Sequence, residues 1–434
     1  MTRTATHPGI LQGGLLGGAD PEALAARFGT PYYAYDLDLV TAQVEALRAV
    51  LPASVDLAYA VKANPLLAVL RHLAGLGVGV DVASGGELRH VLRAGFGAGR
   101  VVFTGPGKRD VELEAAVDAG VRVVTVESRG ELRRLDAVAG ALGRVQPVLL
   151  RLSVPDAGRR EPVRIIGDDG AGKFGMDLDD LVAAAGDAVA SPHLEPLGIH
   201  AFGASNLLDA GTLAAHVEAT VETAAAVARR VGFPLRLVDA GGGLGIPYGH
   251  GEPGLDLTAL GERLAAIASR MATDPTMAVT RVVLEPGRFL VGASGAYVAR
   301  VTDTKTVDGS RVAILDGGMH HVLRPALVGR EHRVVALTGA AAGRIPDGPS
   351  VTVAGPLCTG LDILARSAPL AGLAVGDLVA VLDVGAYGAT EAMPLFLSHP
   401  MPAEVVLRGG EPALARPRIE PETWLDWHID VDGV

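Results

Sequence analysis

Lys62 closes an apolar, β-prone run from Val55 to Val61, within Tyr59-Ala60-Val61-Lys62-Ala63-Asn64. The chain has four lysines (Lys62, Lys108, Lys173 and Lys305) and draws most of its positive charge from arginine. Each retained lysine is therefore a candidate for chemistry that arginine cannot perform. An amine can lose its proton and attack an aldehyde to form a Schiff base; a guanidinium cannot. A surface lysine after a strand is the plain alternative. Other reactive types follow apolar runs in the same way: Asp81 and Ser84 with Glu87, Thr104-Gly105-Pro106, His200 to Asn206, Asp239-Ala240-Gly241-Gly242-Gly243, and Glu285-Pro286-Gly287-Arg288.

Two of these sets suggest a phosphate. Gly241, Gly242 and Gly243 follow a strand, and without Cβ atoms their N–H groups can close on an anion. A flexible turn would look the same in sequence. Arg288 offers a bidentate ligand from another strand end. Glu285 could meet a pyridine nitrogen and keep it protonated, which would make the ring an electron sink. A salt bridge to an arginine is the structural alternative for Glu285.

Something must bring these residues together. Eight short apolar runs recur between Val55 and Glu285: Val55–Val61, Val78–Val82, Val101–Phe103, Val121–Val126, Val145–Leu152, Leu197–His200, Leu235–Asp239 and Val282–Glu285. Alanine- and leucine-rich stretches with helical spacing separate them, among them Pro65–Leu76, Glu87–Ala94, Val111–Ala119, Leu178–Ala188 and Ala214–Val231. This alternation predicts an α/β fold, a (β/α)8 TIM-type barrel over residues 37–288, with a doubly wound sheet as the runner-up. In such a barrel the C-terminal strand ends share one face, which is where the chemistry-bearing residues fall. After Arg288 the texture changes to strand-like runs broken by Gly, Asp and Pro, such as Ala296–Val301, Arg311–Leu315, Ser350–Val353 and Leu378–Leu382. Residues 1–36 and 289–434 are expected to form a β-rich second domain, with Pro31–Tyr35 pairing into it.

The bulk properties narrow the function. Net charge is −11, and hydrophobic residues make up 49% against 20% charged. A nucleic-acid partner is not expected, since the basic clusters (Arg133-Arg134, Arg159-Arg160, Arg229-Arg230) are short enough to be solvated faces. Mean hydropathy is +0.33, but no apolar run reaches the roughly 20 residues of a membrane span. Met1 to Asp20 lacks the apolar core of a signal peptide. With one cysteine, no internal disulfide can form, and a cytoplasmic protein is expected.

The ordered motifs resemble those of the fold-type III pyridoxal-phosphate decarboxylases, with diaminopimelate decarboxylase the nearest broad relative and ornithine and arginine decarboxylases further off. The resemblance runs from about residue 25 to 410. It rests on Tyr59–Asn64, Asp81–Leu88, Phe103–Lys108, Lys173–Met176, Asp239–Ile246, Glu285–Arg288, Asp316–Met319, Gly355–Cys358 and Gly385–Gly388. It implies an alanine racemase-like barrel with a C-terminal β-rich domain, a pyridoxal 5'-phosphate cofactor, and a homodimer whose active sites join one subunit's barrel to its partner's β-domain. By motif position Lys62 resembles the Schiff-base lysine and Glu285 the pyridine partner. Gly241 to Gly243, Ser205, Gly287, Arg288 and Tyr387 resemble cofactor-binding positions, with Asp81 and Glu87 supporting them. Cys358 resembles the acid that returns a proton to Cα. No metal is implied.

Three departures bear on substrate. Diaminopimelate enzymes usually carry Cys-Glu-Ser-Gly-Asp; here the run is Cys358-Thr359-Gly360-Leu361-Asp362. Thr359 cannot offer charge to a distal ammonium. The family's His-x-His-x-Gly-Ser becomes His200-Ala201-Phe202-Gly203-Ala204-Ser205, so either His200 or Phe202 lies on the cofactor. In Arg324-Pro325-Ala326-Leu327-Val328 the carboxylate-reading arginine stays and the tyrosine goes. Arg324, Thr359 and Asp362 are the expected substrate contacts. The departures resemble a side branch from biosynthetic gene clusters, including the decarboxylase of glutamate tethered to an acyl carrier protein, and the decarboxylase-like proteins of exosortase systems. The expected function is therefore decarboxylation of a specialised amino acid or derivative. Diaminopimelate decarboxylation and carrier-tethered glutamate are the alternatives. A racemase is disfavoured by Glu285 and the Cys358 motif, a non-enzymatic regulator by the retained Lys62, Arg288, Cys358 and Tyr387, and a small cofactor carrier by the second domain.

Overall fold

The computed structural model describes residues 9–154, 172–203, 205–249, 251–342, 350–429 and 431. Arg159-Arg160, one of the basic clusters, lies outside them. The described residues form two compact units. One is built on Thr41–Ile246 and Pro253–Leu290; the other takes the chain up to Val40, Pro247–Glu252 and the chain from Val291 onward.

The first unit is a closed barrel of eight parallel strands: Val55–Ala60, Gly79–Val82, Val101–Phe103, Val123–Val126, Gln146–Leu152, Leu194–Ala201, Leu237–Asp239 and Arg281–Leu284. Each sits on one of the apolar runs. The last strand pairs with the first, Val282 against Val55, and closes the ring. The α/β barrel expectation thus holds, and the doubly wound alternative does not. Ala58, Val102, Val123, Leu149, Leu237 and Val283 pack the interior as a buried cluster. Small and branched side chains fill a barrel of this size with no pore.

Local chemistry starts and stops the outer helices. Ser84 accepts from the Glu87 amide at the head of Gly85–Ala94, and Ser128 does the same for Glu131 ahead of Arg129–Ala141. Asp177, Asp209 and Asp256 cap Leu178–Ala190, Ala210–Val231 and Leu257–Thr273. Each such cap contributes about 1 kcal/mol. Ser84 and Ser128 each lie two residues past a strand end, so these capping loops are also barrel-mouth loops.

The second unit is β-rich. Its sheet runs in the order Ile363–Ala368, Val351–Ala354, Ser310–Leu315, Gly295–Val307, Tyr32–Asp36, Ala403–Arg408 and Glu411–Arg416, with Leu378–Leu382 and Val334–Ala336 attached. Tyr32–Asp36 pairs antiparallel with Gly295–Val307 and parallel with Ala403–Arg408. The N-terminal strand-like segment therefore belongs to this unit. Its core includes Tyr32, Ala34, Ala296, Val298, Leu378, Ala380, Val405 and Leu407.

Candidate active site

Lys62 sits in a single 3-10 turn, Val61–Ala63, directly after the first barrel strand. Its side chain is 39% exposed, and Nζ lies 3.6 Å from Asp81 Oδ2. Asp81, on the next strand, is 1% exposed and accepts 2.5 Å from the Thr104 hydroxyl. Burial, and after it the charge of Glu285, pushes Asp81 up to about 7 against the pull of Lys62 and Thr104. Glu87 accepts the Ala83 amide at 2.7 Å and so shapes the turn after Asp81. Burial raises its carboxyl.

On the neighbouring strand ends, His200, Asp239 and Glu285 form a second group. Each offers an atom within 4.8 Å of the others, and all are buried. His200 Nε2 lies 3.6 Å from Glu285 Oε2, beyond hydrogen-bond range. Burial holds the imidazole below its ordinary value, which favours the neutral form. Burial alone would raise Glu285, but His200, Lys62 and Asp239 outweigh it and bring it down to about 2.

The glycines show why no larger residue fits here. A Cβ at Gly241, where φ is +66°, would stand 2.6 Å from the Phe202 ring, and one at Gly242 would collide with the Glu285 carbonyl oxygen. A Cβ at Gly287 would meet Ala63 Cβ at 2.9 Å, so the Glu285–Arg288 turn lies against the lysine turn. Asp239 takes the Gly241 amide at 2.9 Å, while the Gly242 and Gly243 amides donate to nothing among the described residues. Arg288, 7% exposed, donates to Ser205 Oγ at 3.5 Å. The Phe202 ring lies 5.6 Å from Lys62 Nζ. Of the two candidates for stacking, Phe202 is the one beside the lysine; His200 is buried against Glu285.

This arrangement fits pyridoxal 5'-phosphate. Glu285 Oε1 is buried with no hydrogen-bond partner among the described residues, as a ring-nitrogen partner would be. Paired, unengaged glycine amides beside Arg288 and Ser205 suit a phosphate.

Arg151 lies in the Gln146–Leu152 strand, outside the motifs above. It is 8% exposed, donates to Glu127 at 2.5 Å and stacks 4.6 Å over Phe174. An arginine inside an otherwise apolar barrel strand was the available signal.

The remaining sequence candidates lie in the β-rich unit. Cys358 is exposed. Asp362, expected to contact substrate, is 3% exposed and accepts the Met319 amide at 2.6 Å and the Leu357 amide at 2.8 Å. Its carboxylate shapes the loop that carries Cys358. The Thr359 hydroxyl accepts from the Leu361 amide at 3.3 Å within the same loop. Arg324 is buried, with its guanidinium 5.2 Å from the Tyr248 ring. Tyr387 holds a left-handed backbone at φ 55°, as does Asp383 at 61°, in the segment after the Leu378–Leu382 strand. Strain of this kind persists only where surrounding structure enforces it.

The family model described as "Pyridoxal-dependent decarboxylase, pyridoxal binding domain" matches residues 37–292. The chain is 32% identical over 403 residues to the L-glutamyl-[BtrI acyl-carrier protein] decarboxylase of Niallia circulans, covering 92% of this chain and 93% of that one. It is 34% identical over 396 residues to a diaminopimelate decarboxylase of Neisseria meningitidis serogroup B, covering 91% and 92%. The diaminopimelate decarboxylase of M. jannaschii in complex with L-lysine has a similar structure, with a TM-score of 0.87 at 26% identity over 96% of each chain. Among the described residues no helix is long and apolar enough to cross a membrane. Motifs, barrel and relatives agree, and the chain belongs to the pyridoxal-dependent decarboxylases of the diaminopimelate decarboxylase family, carboxy-lyases that use pyridoxal 5'-phosphate.

Proposed function

We infer that this enzyme removes the α-carboxylate of a specialised amino acid or amino-acid derivative other than diaminopimelate. One observation carries this reading. The Gly355–Asp362 loop contains a single carboxylate, Asp362, and both its oxygens are held by backbone amides. With Thr359 beside Cys358, the loop has no free charge for a distal ammonium. A charged partner contributes strongly to discrimination, so its loss weakens diamino substrates most.

Bound cofactor supplies an electron sink for the carbon that loses CO2. Lys62 would carry the cofactor and yield its place to the substrate amine. Glu285, as an anion, would hold a proton at the ring nitrogen. Arg288, Ser205 and the Gly242 and Gly243 amides would bind the phosphate, with Tyr387 as a further contact. Phe202 would lie on the ring. Asp81 would keep the Lys62 amine in place, and Glu87 would shape the turn behind it. Cys358 and Arg324 would come from a second copy of the chain: Cys358 to return a proton to Cα, Arg324 to read a carboxylate. The enzyme would then work as a homodimer, and we place it in the cytoplasm.

A second reading, glutamate tethered to a carrier protein, is favoured by the 32% identity to the Niallia circulans enzyme across 92% of the chain. The test is CO2 release by the cofactor-loaded protein from diaminopimelate, ornithine, lysine, arginine, glutamate and carrier-tethered glutamate. Turnover of diaminopimelate above all others would overturn the reading. Turnover only of tethered glutamate would select the second.

A further inference from the structure

Asp239 ends the Leu237–Asp239 strand, in register with His200 on one side and Val283 on the other. It is 0% exposed. Oδ1 accepts the Gly241 amide at 2.9 Å, and Oδ2 is buried without a hydrogen-bond partner among the described residues. Glu285 lies within 4.8 Å of it. The cations that act on this cluster have carboxylates of their own: Lys62 is 3.6 Å from Asp81, and Arg151 is 2.5 Å from Glu127. His200, the third member, is held below its ordinary value by burial, against the pull of Glu285.

Two carboxylates this close, buried and without a directly bound cation, do not both ionise. At an effective dielectric near 20, the second charge at that separation is disfavoured roughly 300-fold. The proton settles on the deeper, less compensated member. Burial and then the charge of Glu285 push Asp239 well above the ordinary carboxylate range, whereas His200 and Lys62 favour the Glu285 anion.

We propose that Asp239 is a carboxylic acid that shares its proton with Glu285, and that it is a positioning residue which leaves Glu285 as the anion facing the cofactor ring. The proposal rests on the assignment of Glu285 to that ring. It extends the site one layer inward, to a residue that touches neither substrate nor cofactor. A divalent cation bound by the same three side chains would instead require both carboxylates ionised.

Infrared difference spectroscopy of the full-length protein without cofactor, wild type minus D239N at pH 8, tests the proton directly. The expected result is one protonated-carboxyl stretch in the wild type that shifts in D2O and is absent from D239N. Absence of that band would overturn the proposal, whether Asp239 is simply ionised or holds a cation. In the holoenzyme, D239N keeps a donor and should lose less than ~10-fold in kcat, while D239L should lose more than ~100-fold. In an E285Q background the D239L loss should shrink below ~3-fold, because the residue acts through Glu285. Equal losses for Asn and Leu, or full additivity with E285Q, would also overturn it. If D239L fails to fold, the infrared band and the D239N/E285Q pair still decide. A band present in a protein that decarboxylates nothing would leave the proton placement standing and sink the catalytic reading of Glu285.

Discussion

Lys62 Nζ stands 3.6 Å from Asp81 Oδ2, and the two differ sharply in environment: the amine is 39% exposed and the carboxylate 1%. Asp81 therefore loses hydration that Lys62 keeps. Its carboxyl rises to about 7, so the pair is fully ionic only above neutrality. The folded-state value lies above that of the unfolded chain, so folding takes up a proton between about pH 4 and pH 7. The stabilising contribution is complete below the unfolded value and is lost as pH rises through 7. Denaturant unfolding of the cofactor-free protein should show wild type losing stability relative to Asp81→Asn across that window, by at most about 4 kcal/mol. A pH-independent difference would show that Asp81 titrates normally.

Lys62→Ala removes the amine and leaves the rest of the cradle in place. The visible absorbance of lysine-linked cofactor should vanish, and kcat should fall by more than ~1,000-fold. Phosphate contacts from Arg288, Ser205 and the glycines should still retain cofactor, detectable as released pyridoxal phosphate after denaturation. Survival of the absorbance would move the linkage to Lys108, Lys173 or Lys305.

Gly242→Ala places a Cβ against the Glu285 carbonyl oxygen. Backbone, not a flexible side chain, is the obstacle, so the turn must move. A loss of about 1–3 kcal/mol in stability is expected from such overpacking, together with a cofactor Kd at least ~10-fold weaker because the free amides are displaced. Titration of the cofactor-free variant with pyridoxal phosphate measures the second effect, and an unchanged Kd would remove the triple glycine from the phosphate site.

How far the sequence could be read depended on the range over which each signal acts. The barrel strands were legible because runs such as Val80–Val82 and Val101–Phe103 are buried throughout, and burial of that kind leaves short, mostly apolar strings. Tyr32–Asp36 was legible as a strand, but only pairing shows that it lies between Gly295–Val307 and Ala403–Arg408. Asp362 shows the opposite case. Its partner Met319 is 43 residues away, and no local pattern encodes that hydrogen bond. Arg151 and Glu127 are 24 residues apart for the same reason. That the Phe202 ring lies 5.6 Å from Lys62 Nζ is a matter of barrel-mouth geometry, to which residue type is blind.

Asp362→Ala would leave the buried Met319 and Leu357 amides without an acceptor. Each orphaned donor costs about 1–3 kcal/mol, so the β-rich unit should lose roughly 2–5 kcal/mol, read by differential scanning calorimetry. Because the change lies in the loop of Cys358, decarboxylation should fall while cofactor absorbance from the barrel persists. Loss of both together would mean that Asp362 acts on the fold as a whole.

Thr359→Glu is the most direct test of substrate choice. It restores a carboxylate where diaminopimelate enzymes carry one, next to Cys358. The existing loop carboxylate cannot substitute, because Asp362 is tied to two amides. A charge-assisted contact to the distal ammonium should lower KM for diaminopimelate at least ~10-fold, with a smaller change in kcat, since the contact is made equally in ground and transition states. The same carboxylate should repel a substrate with an anionic distal end, so KM for glutamate should rise. Movement in both directions identifies Thr359 as the discriminating position. A fall in kcat for every substrate at unchanged KM would instead mean that the variant disturbs Cys358, and the assignment of Thr359 to substrate would be wrong.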